Sequence, residues 1–150
     1  MNVTLPADLP KQGDLYNKLC PSRAIVKNIS SLWGLTLLRS LSDGKVMRFG
    51  ELRKQIEGIS DKMLSSTLRS LERDGLLKRS HYKDERLRVD YRLTPLGVQC
   101  VELTNPLCVF IEDNMYDIVR HQLNYDQNPT QTTWQTYNKI DTERTLMAEW

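Results

Sequence analysis

Residues Ile59 to Gly75 read ISDKMLSSTLRSLERDG, and this run decides the fold. Leu64, Leu68 and Leu71 recur at i, i+4 and i+7, with Ile59 and Met63 alongside. That spacing predicts one helix with an apolar stripe facing a core. Ser60 is placed to cap it, because its hydroxyl accepts from the unpaired N–H groups of a first turn. Gly75 supplies the stop, since it adopts the left-handed conformation that helix ends use. The other face carries Lys62, Ser65, Ser66, Arg69 and Arg73. Short hydroxyls mixed with Lys and Arg suit a helix laid in the DNA major groove, where Arg and Lys bond guanine O6 and N7. A merely solvated amphipathic helix has the same composition, so the neighbouring segments must decide.

Arg48 to Ile56 reads as a preceding helix, with Phe49, Leu52 and Ile56 inward and Gly58 giving a tight turn. Two short helices joined by a Gly-containing turn, the second with a basic front, form the helix-turn-helix pattern. Leu76 to Lys83 reads as a strand and Lys83-Asp84-Glu85 as a polar turn. Arg86 to Leu93 then alternates, with Leu87, Val89, Tyr91 and Leu93 on one face and Arg86, Arg88, Asp90 and Arg92 on the other. That is the pattern of a half-buried antiparallel strand. The expected fold is therefore mainly α (α+β), a winged helix-turn-helix with a two-stranded wing. Arg86 and Arg88 fall near the wing tip, within reach of phosphates or an adjacent minor groove. The alternative is an ordinary exposed strand face.

Upstream, residues 1–19 read as a loose arm, with a short helix over Asp14 to Leu19. Cys20-Pro21-Ser22 opens a stronger helix, since Pro is tolerated where its missing N–H would be unpaired anyway. Ile25, Ile29, Leu32 and Trp33 follow, Gly34 is expected to break the pattern, and Leu35 to Leu41 continues it. Downstream, Thr94-Pro95 restarts helix as N-cap and first residue. Leu96, Cys100, Leu103, Leu107, Ile111, Met115 and Ile118 form one long stripe, in which Asn105-Pro106 suggests a cap and restart, giving two helices or one kinked helix. The stripe exceeds what a winged-helix body needs, so its surplus is best hidden against a second copy of the chain. Residues 20–97 thus read as the DNA-binding domain, 94–122 as dimerisation helices and 123–150 as a polar tail.

Charge supports a polyanionic partner. Cys20 to Gly97 holds 16 Lys/Arg and 9 Asp/Glu, a net +7, while the remainder holds 5 and 10, a net −5; together they give the +2 of the whole 150-residue chain. A basic block of this kind is an electrostatic footprint for nucleic acid. An unevenly composed surface is the alternative on charge alone. Hydrophobic residues at 39% and charged residues at 27% match a protein that buries a core. No apolar run approaches the roughly 18 residues of a membrane span, and the first residues lack the pattern of a secretory signal. Three cysteines, an odd number, suit a reducing cytoplasm better than a disulfide scaffold.

Little else in the sequence carries chemistry. His81 and His121 are isolated and no C-x-x-C occurs, so no metal site is expected. No phosphate-binding glycine loop or nucleophile elbow is present, and no cofactor is expected. Cys20, at a helix start with Arg23 and Lys27 nearby, is a candidate reactive thiol, set against a cysteine that only packs. Cys100 and Cys108 read as packing residues. An enzyme using Cys20 as nucleophile lacks a histidine partner. A winged helix serving only as a protein-interaction module is the second alternative, and Lys62 and Arg69 on the exposed face argue against it.

Many separated positions together resemble the HxlR-type winged-helix transcription regulators. They include Cys20-Pro21, Trp33, Leu38-Arg39, Gly44, Arg48-Phe49-Gly50-Glu51-Leu52, Gly58-Ile59-Ser60-Asp61-Lys62-Met63-Leu64, Leu68-Arg69-Ser70-Leu71-Glu72, Asp74-Gly75-Leu76 and Tyr91-Arg92-Leu93-Thr94-Pro95-Leu96-Gly97. The likeness spans about residues 20 to 120. It implies a homodimer that binds operator DNA through Ser60, Lys62, Ser65, Ser66 and Arg69 in the major groove, with Arg88 in the wing and Arg48 at the backbone. It implies dimerisation through the terminal helices, and a Cys20 that senses oxidants or electrophiles. Two departures stand out. Leu87 precedes Arg88-Val89-Asp90-Tyr91 where the family usually carries proline, so the wing tip is expected to differ in shape. The tail after Asn124 has no counterpart.

Overall fold

A computed structural model describes residues 12–82 and 88–127. Helices α1 (Ser22–Ser30) and α2 (Leu32–Ser40) are separated by Ser31, whose extended backbone breaks the helix and whose hydroxyl accepts from Gly34 N at 3.0 Å. The expected break at Gly34 does not occur. Gly34 lies inside α2, where a Cβ would stand 2.0 Å from the Asn28 carbonyl oxygen, so the end of α1 packs directly on the backbone of α2. The segment before Cys20 is turns rather than the expected short helix. Asp14 and Asn17 side chains accept from Tyr16 N and Leu19 N two residues on, a local bond that competes with helix.

Strand β1 (Met47–Arg48) leads straight into α3 (Phe49–Gln55). Arg48 was expected to start that helix; its backbone is extended instead, and its N–H donates to Glu51 Oε2 at 2.6 Å. Ile59 was expected on the next helix but sits ahead of it, fully buried in the turn. Helix α4 (Asp61–Arg73) begins after Ser60, whose Oγ accepts from Met63 N at 3.2 Å. Leu64, Thr67, Leu68 and Leu71 are its buried face. Met63, expected inward, is 42% exposed. At about 100° per residue it falls beyond Thr67, past the edge of the stripe. The helix ends as a Schellman motif: Gly75 has φ 77°, Leu76 N donates to Leu71 O and Gly75 N to Glu72 O.

Strands β2 (Leu77–His81) and β3 (Val89–Leu93) form the expected wing hairpin, and β1 joins it to make a three-stranded antiparallel sheet of order β1-β3-β2. Register pairs Met47 with Tyr91, Arg48 with Asp90 and Arg79 with Tyr91. Leu37, Leu38, Leu41, Leu52, Ile59, Leu64 and Leu71 are fully buried, and Leu76, Leu77, Tyr91 and Val101 complete the core. The sheet thereby packs its Tyr91 face on α3 and α4.

Helix α5 (Pro95–Asp113) starts as expected, with Gly97 N donating to Thr94 Oγ1 at 3.0 Å. A Cβ on Gly97 would stand 2.1 Å from the Leu76 carbonyl oxygen, so helix and strand meet backbone to backbone. Of the two readings at Asn105-Pro106, no restart occurs there and one helix runs on with Pro106 inside it. A proline there removes one donor from a long ladder. The break falls at Asn114, after which α6 (Met115–Gln127) begins. In α5 the core is met by Gly97, Cys100 and Val101, while Leu96, Leu103 and Leu107 are exposed among the described residues. The chain divides into two compact units, Met1–Cys108 and Val109–Trp150. In the second, Arg120 pairs with Asp117 at 3.1 Å, and Phe110, Tyr116, Leu123 and Tyr125 are exposed.

Candidate nucleic-acid interface

The front of α4 presents Lys62, Ser65, Ser66 and Arg69 at i, i+3, i+4 and i+7, all exposed. One helix face therefore carries two cations and two hydroxyls, backed by buried leucines that hold the helix in place. Ser60 is exposed at the helix start, with its hydroxyl engaged as the cap. Arg53 Nε donates to Asp61 Oδ1 at 2.9 Å and ties α3 to the first turn of α4. Both groups are substantially exposed, so this link steadies the pair by a fraction of a kcal/mol, about 0.2–1.

The structure brings Arg48 and Arg88 together, which sequence alone did not. Both lie against Asp90, on the outer face of the sheet. Arg88 donates through Nε to Asp90 Oδ1 and through Nη2 to Oδ2, each at 3.3 Å, and Arg48 Nε lies 3.8 Å from Oδ1. The Arg88 guanidinium also stacks 4.7 Å from the Tyr82 ring centroid. Asp90 was expected on a solvated strand face; it is 5% exposed, because the two arginines cover it. Arg86 and the Lys83-Asp84-Glu85 turn lie outside the described residues.

A cleft of about 810 Å³ runs between α4, the start of α3 and the sheet. Ser65 and Arg69 line it from α4, Arg48 and Arg88 from the sheet edge. Lys54 and Arg79 line it too, and sequence reading missed both. The signal for Arg79 was present: Leu77, Arg79 and His81 alternate opposite Leu93, Tyr91 and Val89. Among the described residues Glu51 and Glu72 are the only carboxylates lining it, against five cations, so this lining is cationic. Such a surface attracts a polyanion. Tyr91 at its base has its phenol pushed up, by burial first, against the opposing effect of Arg79.

Cys20 is apart from this face. It precedes α1, and its sulfur accepts from Ser22 Oγ at 3.1 Å and from Asp14 N at 3.3 Å. These bonds, Ser22 first, lower the thiol below its ordinary pKa, opposed by the Asp14 carboxylate. Arg23, expected to help, donates to the Leu15 carbonyl instead. Burial pushes the Cys100 thiol up. Among the described residues, no His, Cys, Asp and Glu gather in a group that would hold a metal, and no helix is long and apolar enough to cross a membrane.

A helix-turn-helix with a β-wing, a basic helix front and a cationic cleft beside it defines a winged helix-turn-helix protein. The HxlR-like helix-turn-helix family profile matches residues 28–118. The chain belongs to that family of transcriptional regulators. It is 41% identical over 109 residues to the uncharacterised HTH-type regulator YtfH of Escherichia coli (strain K12), covering 73% of this chain and 86% of that one. Among solved structures, the ytfH regulator from Salmonella typhimurium superposes with a TM-score of 0.70 at 38% identity, covering 74% of this chain and 98% of that one. The reduced form of the redox regulator HypR gives 0.60 at 28% identity, covering 67% and 98%.

Proposed function

We propose that the protein is a cytoplasmic, sequence-specific DNA-binding regulator that acts as a homodimer on an inverted-repeat operator. Helix α4 enters the major groove, with Ser60, Lys62, Ser65, Ser66 and Arg69 toward the DNA. Arg48, Arg86 and Arg88 meet the sugar-phosphate backbone at the wing. The observation that carries this reading is the exposed Lys62-Ser65-Ser66-Arg69 face beside the cationic cleft. In the dimer, the terminal helices of two copies cover the apolar side chains exposed on α5 and α6, and the two α4 helices sit about one DNA turn, roughly 34 Å, apart.

A mobility-shift titration of the full chain on duplex DNA tests the reading. Affinity should fall steeply as salt rises from 50 to 200 mM, by about 10³-fold or more for six phosphate contacts, because bound counterions are released. Affinity that is absent at low salt, or flat with salt, would sink the assignment.

Regulation by oxidants or electrophiles through Cys20 is a second reading. It is supported by the lowered thiol and by the likeness to HypR, itself described as a redox regulator. Alkylation that releases a bound duplex from the parent but not from Cys20→Ser is the expected result; equal release from both would exclude it.

A further inference from the structure

The outer face of the wing sheet holds a carboxylate that the sequence pattern placed in solvent. Asp90 is buried there by two cations that come from different parts of the fold. Arg48 belongs to β1 and opens α3, the first helix of the helix-turn-helix. Arg88 precedes β3, at the outer end of the wing hairpin. Register sets Arg48 directly opposite Asp90, and cross-strand partners share a face. Arg88, one residue before β3, reaches the same carboxylate through Nε and Nη2, each at 3.3 Å. One carboxylate therefore joins the helix pair to the wing.

The charges decide what such a carboxylate does. Without it, two guanidinium groups on one face would repel each other and splay apart. With it, they are held at a fixed spacing, and Arg88 is further fixed by its fork on Asp90 and its stacking on Tyr82. A planar guanidinium held by two N–H bonds loses its freedom to swing. Both arginines line the cationic cleft, and Arg48 keeps half of its side chain exposed. Asp90 also removes one unit of positive charge from the face. It therefore favours geometry at the expense of undirected attraction.

We propose that Asp90 is a positioning residue for DNA recognition: by spacing Arg48 against Arg88 it fixes the wing relative to α3 and α4, and so raises specific over non-specific duplex binding. This rests on the DNA-binding reading above. Asp90 itself touches no DNA; it acts through the two arginines.

The test uses the full chain and two duplexes, one enriched by the parent protein from a random pool and a scrambled version of the same composition. Asp90→Asn should bind the enriched duplex about tenfold more weakly and the scrambled one equally or more tightly. In an Arg48→Ala/Arg88→Ala background, adding Asp90→Asn should leave the ratio of the two affinities unmoved. A purely structural role would lower the melting temperature and leave that ratio at the parent value, and such an outcome overturns the proposal. Should Asp90→Asn fail to fold, Arg88→Lys keeps the charge but cannot form the fork. It should lower the ratio at least threefold with the scrambled affinity unchanged, and a parental ratio would overturn the proposal. A parent that binds neither duplex at 50 mM salt removes the DNA-binding reading and this inference together. A parent that binds, with variants of unchanged ratio, removes this inference alone.

Discussion

Thr94 Oγ1 donates to the Gly75 carbonyl at 2.6 Å while accepting from Gly97 N at 3.0 Å. One hydroxyl thus caps the start of α5 and holds the end of α4, across the whole wing hairpin. Thr94 N adds a bond to the Leu76 carbonyl at 3.0 Å. Thr94→Ala removes the hydroxyl's bonds to the Gly75 and Leu76 carbonyls and to Gly97 N, and keeps the backbone one. We expect a loss of about 1–2 kcal/mol, the usual range for a lost N-cap hydroxyl. Chemical denaturation should show a lower midpoint at unchanged slope. A midpoint equal to the parent would mean the hydroxyl adds nothing.

Arg69 and Lys62 share the α4 front but should behave differently in binding. If Arg69 reads a base edge, Arg69→Ala loses about 1–3 kcal/mol and relaxes preference at one operator position. Lys62→Ala, meeting phosphate, should weaken all duplexes alike and reduce the salt slope by about one. Binding selection on both variants, with salt titrations, separates the two roles. Parental affinity in both would remove α4 from the interface.

Cysteine reactivity should follow the hydrogen bonds. Cys20 has its pKa lowered, by Ser22 first, so more of it is thiolate at neutral pH. Cys100 has its pKa raised by burial and stays a thiol until higher pH. Iodoacetamide at pH 7 should therefore label Cys20 before Cys100, read by peptide mass. Ser22→Ala should move the pH midpoint of Cys20 labelling upward. An unmoved midpoint would show that the Ser22 bond does not set the thiol.

Phe110 and Tyr116 are 60% and 78% exposed, on α5 and α6. If a second copy covers them, Phe110→Glu buries a charge at that interface and should shift the chain from dimer to monomer in sedimentation at micromolar concentration. Operator affinity should drop with it. A variant that sediments like a dimeric parent would place the interface elsewhere.

Helix α4 was legible because three local signals agree: the leucine spacing, the Ser60 cap and the Gly75 stop each match the observed geometry. The α4 front was legible for the same reason, since exposure follows once the buried side is known. The remaining features depend on non-local contact. Gly34 looks like a breaker until the Asn28 carbonyl is seen against it. Asp90 looks like a solvated strand residue until β1 brings Arg48 across from it. A strand of two residues has no periodicity to detect, so neither β1 nor that pairing was visible in advance. Pro106 leaves one helix or two open in the sequence, and one missing donor does not end this helix.

The backbone-to-backbone meeting of Gly97 with Leu76 bears on how this lineage can change. A contact made by main chain has no rotamers to adjust, so any substitution of that glycine must push carbonyl against carbon. The scaffold is thereby pinned at a point that tolerates one residue type. Lys62, Ser65, Ser66 and Arg69 stand in solvent and can be exchanged without disturbing it. On the proposed reading, the residues that would set the target are thus separate from the contact that fixes the shape.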